Sequence, residues 1–307
     1  MLAAVSPESI ELVGFSWHRI SCSIPEDWVI KVEGGNSKRG YLRFDDYKPR
    51  LEVRWEGFKK SKTPDPRRIL KDLESKGRKE DPDFKVASRG EGRINGHLAS
   101  YIYYRGGREG FIYVFNCDRS MRSFILRFHF DREEYDRVKA ISERVLSNFD
   151  CHPGDSTLSW RIFDIELKIP VDFELVDRRF YPADIYLLFE SRYGYIGFER
   201  VGLASRVLKK EKLEDWVREK YRRFLGKTLK GLIWRKPMQV DVFGHEGYLY
   251  PLSFRRGLLK KPMDGYTYVW ICDMMDRLYA FSILKEKGLG EAIEKVMNEV
   301  FENLRCH

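Results

Sequence analysis

Ser16-Trp17-His18-Arg19-Ile20 is answered later in the chain by Ser159-Trp160-Arg161-Ile162, and this echo decides the fold. Working outward, Ile24-Pro25-Glu26-Asp27-Trp28 is matched by Ile169-Pro170-Val171-Asp172-Phe173, and Gly96-His97 by Gly244-His245. Cys117-Asp118 with Arg122 is matched by Cys272-Asp273 with Arg277, and Phe149-Asp150-Cys151-His152 by Leu304-Arg305-Cys306-His307. The two cysteines of each set lie 34 positions apart, at 117 and 151 and at 272 and 306. Agreement in order, residue type and spacing at five places predicts two tandem copies of one domain, since self-similarity at a long period is the mark of duplication. The copies are expected over residues 1–152 and 157–307, joined by Pro153-Gly154-Asp155-Ser156, four residues of turn chemistry.

A chain of 307 residues fits two domains of ordinary size, and its 43% hydrophobic content is enough for each to bury a core. The 34% charged content and the single glutamine, Gln239, resemble thermophile composition, in which ion pairs are many and labile amides few. The N-terminal residues lack the basic flank and apolar run of a secretion signal, and no stretch of eighteen apolar residues occurs, so no membrane contact is expected and a cytoplasmic location is. The formal net charge of +9 permits an acidic partner without naming one, because the basic residues come as scattered pairs among acidic ones.

Within the first copy, Phe15 to Ile24 reads as one strand, followed by strands at Gly40–Phe44 and Leu51–Trp55. Thr63-Pro64-Asp65-Pro66 opens a helix that Gly77 is expected to end, since proline suits the first turn and an acid there meets the helix dipole. The second copy places a helix at Lys212–Leu225. A hairpin follows, His97–Tyr104 and Phe111–Cys117, turning through Arg105-Gly106-Gly107-Arg108, then a strand at Ser123–Phe130. Tyr135, Val138, Ile141, Val145, Leu146 and Phe149 recur three or four apart, giving the last helix one apolar stripe. The fold class is α+β: two tandem copies of an antiparallel sheet with packed helices.

This order of elements, a strand ending in Ile-Pro-x-x-Trp, a meander, a helix, a Gly-His turn, a hairpin and a C-terminal helix, resembles the PsbP-like fold. That fold is shared by the photosystem II extrinsic protein PsbP and a small Ran-binding nuclear transport factor. The resemblance spans each whole copy and implies a binding or assembly module rather than an enzyme. No family site motif is present, so no functional residue is carried over.

The chemistry-bearing residues are the repeated cysteines and histidines. A hairpin centred near Gly107 sets His97 opposite Cys117 on one sheet face, and the strand and helix that follow bring Cys151 and His152 back to the same end. His245, Cys272, Cys306 and His307 are expected to do the same in the second copy, although Tyr248 and Tyr250 fall off the parity of His245 and call for a bulge near Gly247. Three readings stand side by side. One is a structural Cys₂His₂ zinc site in each copy, without the short C-x₂-C spacing of specific zinc motifs and with adjacent Cys151 and His152 expected to point apart. Another is a pair of disulfides, Cys117–Cys151 and Cys272–Cys306, each worth roughly 3–4 kcal/mol. The last is packed free thiols, with the histidines at a turn and a helix end. Cys22 reads as core.

Asp118 and Arg122 read as a turn with an ion pair across it rather than as catalytic groups. Gly-rich phosphate loops and nucleophile elbows are absent from the sequence. Tyr101, Tyr103, Tyr113 and Phe115 share one face of the hairpin, with Tyr248, Tyr250, Tyr266, Tyr268 and Trp270 as counterparts; such a face either lies under a helix as core or stacks single-stranded nucleic acid. The leading expectation is a non-catalytic binding or assembly module of unknown protein or acidic partner, its copies packed as a pseudo-dimer. The alternative is a single-strand nucleic-acid-binding protein. A thiol or metal enzyme using Cys117 and Cys272 is a third.

Overall fold

Trp17 is followed by His18 and Arg19, both left-handed, with φ of 47° and 60°. Two successive left-handed residues make the tight turn whose twist suits a hairpin. The chain therefore reverses here in the computed structural model, and the single strand expected over Phe15–Ile24 is two, β1 (Leu12–Trp17) and β2 (Ile20–Pro25), paired with Trp17 opposite Ile20. Neither residue is a glycine, asparagine or aspartate, so the sequence carried no turn signal. The structure describes residues 10–154, 156–162, 165–181, 183–209, 212–255, 262–289 and 291–304. The chain divides into two compact units, Met1–Glu166 and Leu167–His307.

In the first unit β3 (Val29–Gly35), β4 (Arg39–Asp45) and β5 (Pro49–Gly57) form a meander. Helix α1 (Pro66–Glu80) follows, then β6 (Lys85–Ile94), β7 (His97–Arg105), β8 (Glu109–Cys117), β9 (Arg122–Phe130) and helix α2 (Tyr135–Ser147). The strands make one antiparallel sheet in the order β3-β4-β5-β9-β8-β7-β6. Asp65 caps α1 by accepting from the Arg67 N–H, with Pro66 at the first turn, as the sequence implied. Gly77 does not end the helix, which runs one turn further to Glu80.

Helices lie against both sides of the sheet, α1 over β7 and β8 on one and α2 on the other, and its side chains sort by parity. One face, with Ile102, Tyr104, Ile112 and Val114, packs with Leu70 of α1 and Phe84. The other carries Ala99, Phe111, Phe115, Phe124, Leu126 and Phe128, all at most 5% exposed. Phe115 and Phe124 meet Phe149 beyond the end of α2, and Tyr135 of α2 lies 5.0 Å from Tyr103 and 5.8 Å from Phe111. The aromatic hairpin face is thus core beneath α2. Strand β10 (Thr157–Ile162) places Trp160 against Trp17, their rings 5.0 Å apart.

After β11 (Ile165–Pro170), the second unit holds β12 (Glu174–Tyr181), β13 (Asp184–Glu190), β14 (Gly194–Gly202), β15 (Ile233–Trp234), β16 (Met238–Val242), β17 (His245–Arg255), β18 (Pro262–Cys272) and β19 (Arg277–Glu286). Its sheet runs β12-β13-β14-β19-β18-β17-β15, with β16 also on β17. The helix expected over Lys212–Leu225 follows the short α3 (Ala204–Val207); it comprises α4 (Leu213–Trp216), a π turn at Val217–Tyr221 and α5 (Arg222–Thr228). Its Trp216, Val217, Tyr221 and Leu225 bury one sheet face with Tyr250 and Leu252. On the other face α6 (Glu291–Glu302) sets Phe301 flat on Tyr268, at 4.3 Å. Tyr248 and Tyr250 therefore lie on the face opposite Tyr266, Tyr268 and Trp270. No bulge interrupts β17, whose register with β18 is continuous from Gly247↔Trp270 to Arg255↔Pro262.

Candidate metal centre

Two consecutive left-handed residues, Asn95 and Gly96, turn β6 into β7 with Ile94 paired to His97. Asn-Gly is a favoured sequence for this turn, so His97 is delivered at the first position of β7. The β7–β8 ladder pairs Ala99 with Phe115 through to Tyr104 with Gly110, and the same register extended two residues brings His97 level with Cys117, the pairing expected from the sequence. Cys117 ends β8 and pairs with Arg122 at the start of β9. Helix α2 stops at Ser147, four residues short of Cys151; Asp150 then bridges to Ser21, with Ser21 N to Asp150 O at 2.9 Å and Asp150 N to Ser21 O at 2.7 Å. Because Cys151 and His152 follow the helix rather than end it, the expectation that they point apart does not hold.

His97, Cys117, Cys151 and His152 each offer one donor atom, and all four donors lie within 4.8 Å of one another. The His152 Nδ1 is 3.3 Å from the Cys117 Sγ and 3.1 Å from the Cys151 Sγ. A tetrahedral zinc site, with Zn–S near 2.3 Å and Zn–N near 2.0–2.1 Å, has donor-to-donor edges of roughly 3.3–3.8 Å. The four donors thus need movements of well under about 1 Å to fit it. Both cysteines are fully buried and free, while the histidines are half-buried. The His97 ring stacks on Phe115 and meets His152 edge-on, with centroids 5.3 Å apart, and its Nε2 is buried without a hydrogen-bond partner. A buried polar atom without a partner costs free energy unless something satisfies it.

The surroundings suit thiolates. The Ser120 N–H donates to the Cys117 Sγ at 3.3 Å, and the Asn95 side-chain amide reaches the Cys151 Sγ at 3.9 Å and the Asp150 Oδ1 at 2.8 Å. That same Asp150 oxygen accepts from the His152 N–H. The hydrogen bond with Cys151 holds the Cys117 thiol well below its ordinary value, and the same contact together with burial pushes Cys151 up. The pair therefore carries one thiolate readily, and a cation between them would be needed to deprotonate both. Arg122 stands beside them, its guanidinium turned inward rather than toward Asp118. Its Nη1 donates to His18 O and Ser37 O at 2.9 and 3.2 Å, and its Nη2 to Arg19 O and Cys151 O, both at 2.8 Å. Among the described residues no ion pair joins Asp118 and Arg122, so the ion pair expected there is replaced by four carbonyl contacts.

No family model and no curated protein matches this sequence. Among solved structures, cyanobacterial PsbP (CyanoP) from Synechocystis sp. PCC 6803 is similar over 49% of this chain and 95% of its own, at 12% identity and a TM-score of 0.36. The type VI secretion immunity protein TplEi from Pseudomonas aeruginosa is similar over 98% of both chains, at 11% identity and a TM-score of 0.31. The functional reading rests on the site itself.

Asn95, Ser120 and Asp150, which sequence reasoning passed over, hold the donors in place, and Arg122, expected to pair with Asp118, serves the corner through its carbonyl contacts instead. Only Asn95 carried a legible signal, the Asn-Gly turn. In the second unit Phe243 and Gly244 form a left-handed pair before His245, and the β17–β18 register, extended two residues beyond Gly247↔Trp270, brings His245 level with the buried Cys272. Cys306 and His307 lie outside the described residues. Of the aromatic side chains offered as a nucleic-acid platform, Tyr103 and Phe115 are buried and Tyr101 and Tyr113 half-buried in the first unit, and those of the second are divided between the two faces of its sheet; among the described residues no helix is long and apolar enough to cross a membrane.

Proposed function

We propose that the protein is a non-catalytic binding or assembly module built from two tandem PsbP-like copies, with a structural Cys₂His₂ zinc site at His97, Cys117, Cys151 and His152 of the first. The observation that carries the metal reading is the convergence of four soft or borderline donors, two of them fully buried, from three separate stretches of chain. Structural zinc takes four protein ligands, whereas catalytic zinc keeps a position open for water or substrate. The orphaned His97 Nε2 favours the metal over a disulfide, which would leave both imidazoles without a role. Such a site ties the start of β7, the end of β8 and the tail beyond α2, and its binding energy is folding energy. Reducing cytoplasm would keep the thiols available to it.

The duplication is supported by the sheet orders, by the left-handed turn before each histidine and by the equal cysteine spacing. By this logic His245, Cys272, Cys306 and His307 form the second site. Elemental analysis of untagged protein, paired with a thiol count after unfolding, tests the reading. About two zinc ions per chain with every thiol free are expected, and one is expected if only the first copy binds. His97→Ala should remove the first zinc and Cys22→Ser should not. Metal-free protein with a single reactive thiol would show disulfides instead, and metal-free protein with all five thiols free would show mere packing. Turnover on a substrate panel that Cys117→Ser abolishes would overturn the non-catalytic part.

A further inference from the structure

Helix α1 covers the outer face of the first sheet over β7 and β8 and leaves β4 and β5 beside it uncovered. The space left is a cavity of about 860 Å³, bounded by Arg39, Tyr41, Arg54, Lys59 and Lys62, with Pro64 and Ile69 as the wall nearest α1. That volume lies within the range of small-molecule sites, roughly 300–1,000 Å³. Its charge is one-sided, because four cationic side chains line it against the single carboxylate of Glu56. Several other cations in this unit are paired: Arg43 with Asp45, Arg50 with Asp46 and Glu134, Arg67 with Glu91, and Arg89 with Glu74. Among the described residues Arg39, Lys59 and Lys62 have no ion-pair partner, and Arg54 has only a 3.5 Å contact with Glu52.

The rest of the lining is apolar and planar. The Arg54 guanidinium lies over the Tyr41 ring, 4.9 Å from its centroid, which leaves the outer face of a flat cation open to stack on a second ring. Phe58, Ile69 and Ile125 add apolar surface, and Gly34 and Gly35 at the rim bring backbone rather than side chains to the opening. Unpaired cations beside a planar stacking surface in a concave site suit one ligand chemistry. We propose that this cavity binds a small planar aromatic anion, a ring system carrying a phosphate or carboxylate group, with Arg54 stacking on the ring and Arg39, Lys59 and Lys62 gathering the charge. The proposal rests on the binding-module part of the reading above and not on zinc.

Calorimetric titration of the full chain with adenosine 5′-monophosphate and with 1-naphthoate tests it, with adenosine, naphthalene methanol and inorganic phosphate as the uncharged or ringless halves. Saturable binding of either anion, at least about tenfold tighter than its halves and weakening with salt, is expected; the phosphate or the carboxylate source is told by which anion wins. Arg54→Ala should weaken binding about tenfold and Lys59→Glu further, while Glu56→Gln tightens it. Circular dichroism and zinc content, measured on the same samples, should match the parent, because the Arg54 side chain is 58% exposed and far from the four donors in sequence. No binding of either anion, or binding that Arg54→Ala and Lys59→Glu leave unchanged, overturns the proposal while leaving the zinc result standing.

Discussion

Arg122→Met replaces a buried guanidinium by an apolar chain that stays unbranched, and the structure sets the size of the effect. Four hydrogen bonds of 2.8–3.2 Å are lost, to His18 O, Ser37 O, Arg19 O and Cys151 O. Hydrogen bonds to a charged group are worth about 1.5–3 kcal/mol each, so the gross loss is on the order of 6–12 kcal/mol. Two effects offset it. Burial drives the Arg122 guanidinium down to about 10, a sign that its charge is itself costly where it sits; an apolar replacement removes that cost. The carbonyls of Arg19 and Ser37 also belong to turn segments and can recover water, whereas His18 is 3% exposed and Cys151 fully buried, and their carbonyls cannot. The net expectation is a loss of about 3–5 kcal/mol, the range seen when one partner of a buried polar cluster is removed. Arg122→Lys keeps the charge but cannot serve two pairs of carbonyls with one ammonium, so a loss of about 2 kcal/mol is expected. Urea unfolding at neutral pH measures both, and only the transition of the first unit should shift. A loss below about 1 kcal/mol for Arg122→Met would mean that the four contacts contribute little and that Arg122 does not organise this corner.

Two carboxylates give pH-dependent stability of opposite sign. Burial alone would raise Glu134, but hydrogen bonds from Arg50, the Asp131 N–H and Lys48 outweigh it and hold the carboxyl at about 2, against 4.5 ordinarily. A lowered folded value adds stability above the ordinary value that is lost as pH falls toward 2, here about 2–3 kcal/mol after allowing for partial exposure. Urea titrations at pH 7 and pH 2.5 should show that loss in the parent and not in Glu134→Gln; equal slopes in the two proteins would refute it. Glu199 is the reverse case: burial, reinforced by the Asp184 carboxylate and opposed by Arg179, pushes it up to about 8. Stability linked to it is full below the ordinary 4.5 and is lost as pH rises through 8, so Glu199→Gln should stabilise the second unit at pH 9 by about 1–3 kcal/mol and change little at pH 4. A less stable variant at pH 9 would show that the Arg179 contacts, at 2.5 Å to Glu199 and 2.7 Å to Asp184, dominate over the buried charge.

The sequence disclosed the parts of the fold that rest on periodicity and strong turn chemistry. Two glycines between alternating apolar runs set the β7–β8 register, and with it the meeting of His97 and Cys117. Asp65-Pro66 marked the start of α1, and the three-four spacing from Tyr135 marked α2. What failed failed for physical reasons. The reversal at His18-Arg19 uses neither glycine, asparagine nor aspartate and is held from outside by the Arg122 guanidinium on the two carbonyls, so a strong local signal was absent. Strand β6 is largely exposed along its length, with Lys85, Arg89, Glu91 and Arg93 in it, and therefore lacks an apolar pattern. Strand β3 is similarly exposed. The supposed bulge at Gly247 came from matching Tyr248 and Tyr250 to Tyr101 and Tyr103; the register instead makes Leu249 and Pro251 the counterparts, and the second unit puts its tyrosines on both faces.

The same corner explains why the donors stand where they do. The tail beyond α2 lies outside regular structure: the helix has stopped, and Asp150 makes an isolated bridge to Ser21. Three independent devices converge on it, the Asp150 bridge, the Arg122 bond to Cys151 O, and the four donors around Cys151 Sγ. Each closes a long stretch of chain, and the entropy of closing such loops is shared once any one of them has formed. Arg122 therefore does more than satisfy carbonyls. Bonded to Cys151 O at 2.8 Å on one side, it fixes the backbone from which the thiol projects, and its positive charge lies beside two groups that must both become thiolates to hold a cation. A divalent ion with two thiolates and two neutral imidazoles is itself uncharged. The nearby guanidinium is therefore not repelled by the occupied site, and with only one thiolate present it supplies the missing counter-charge. A single geometry would thus serve both states of the zinc site proposed above.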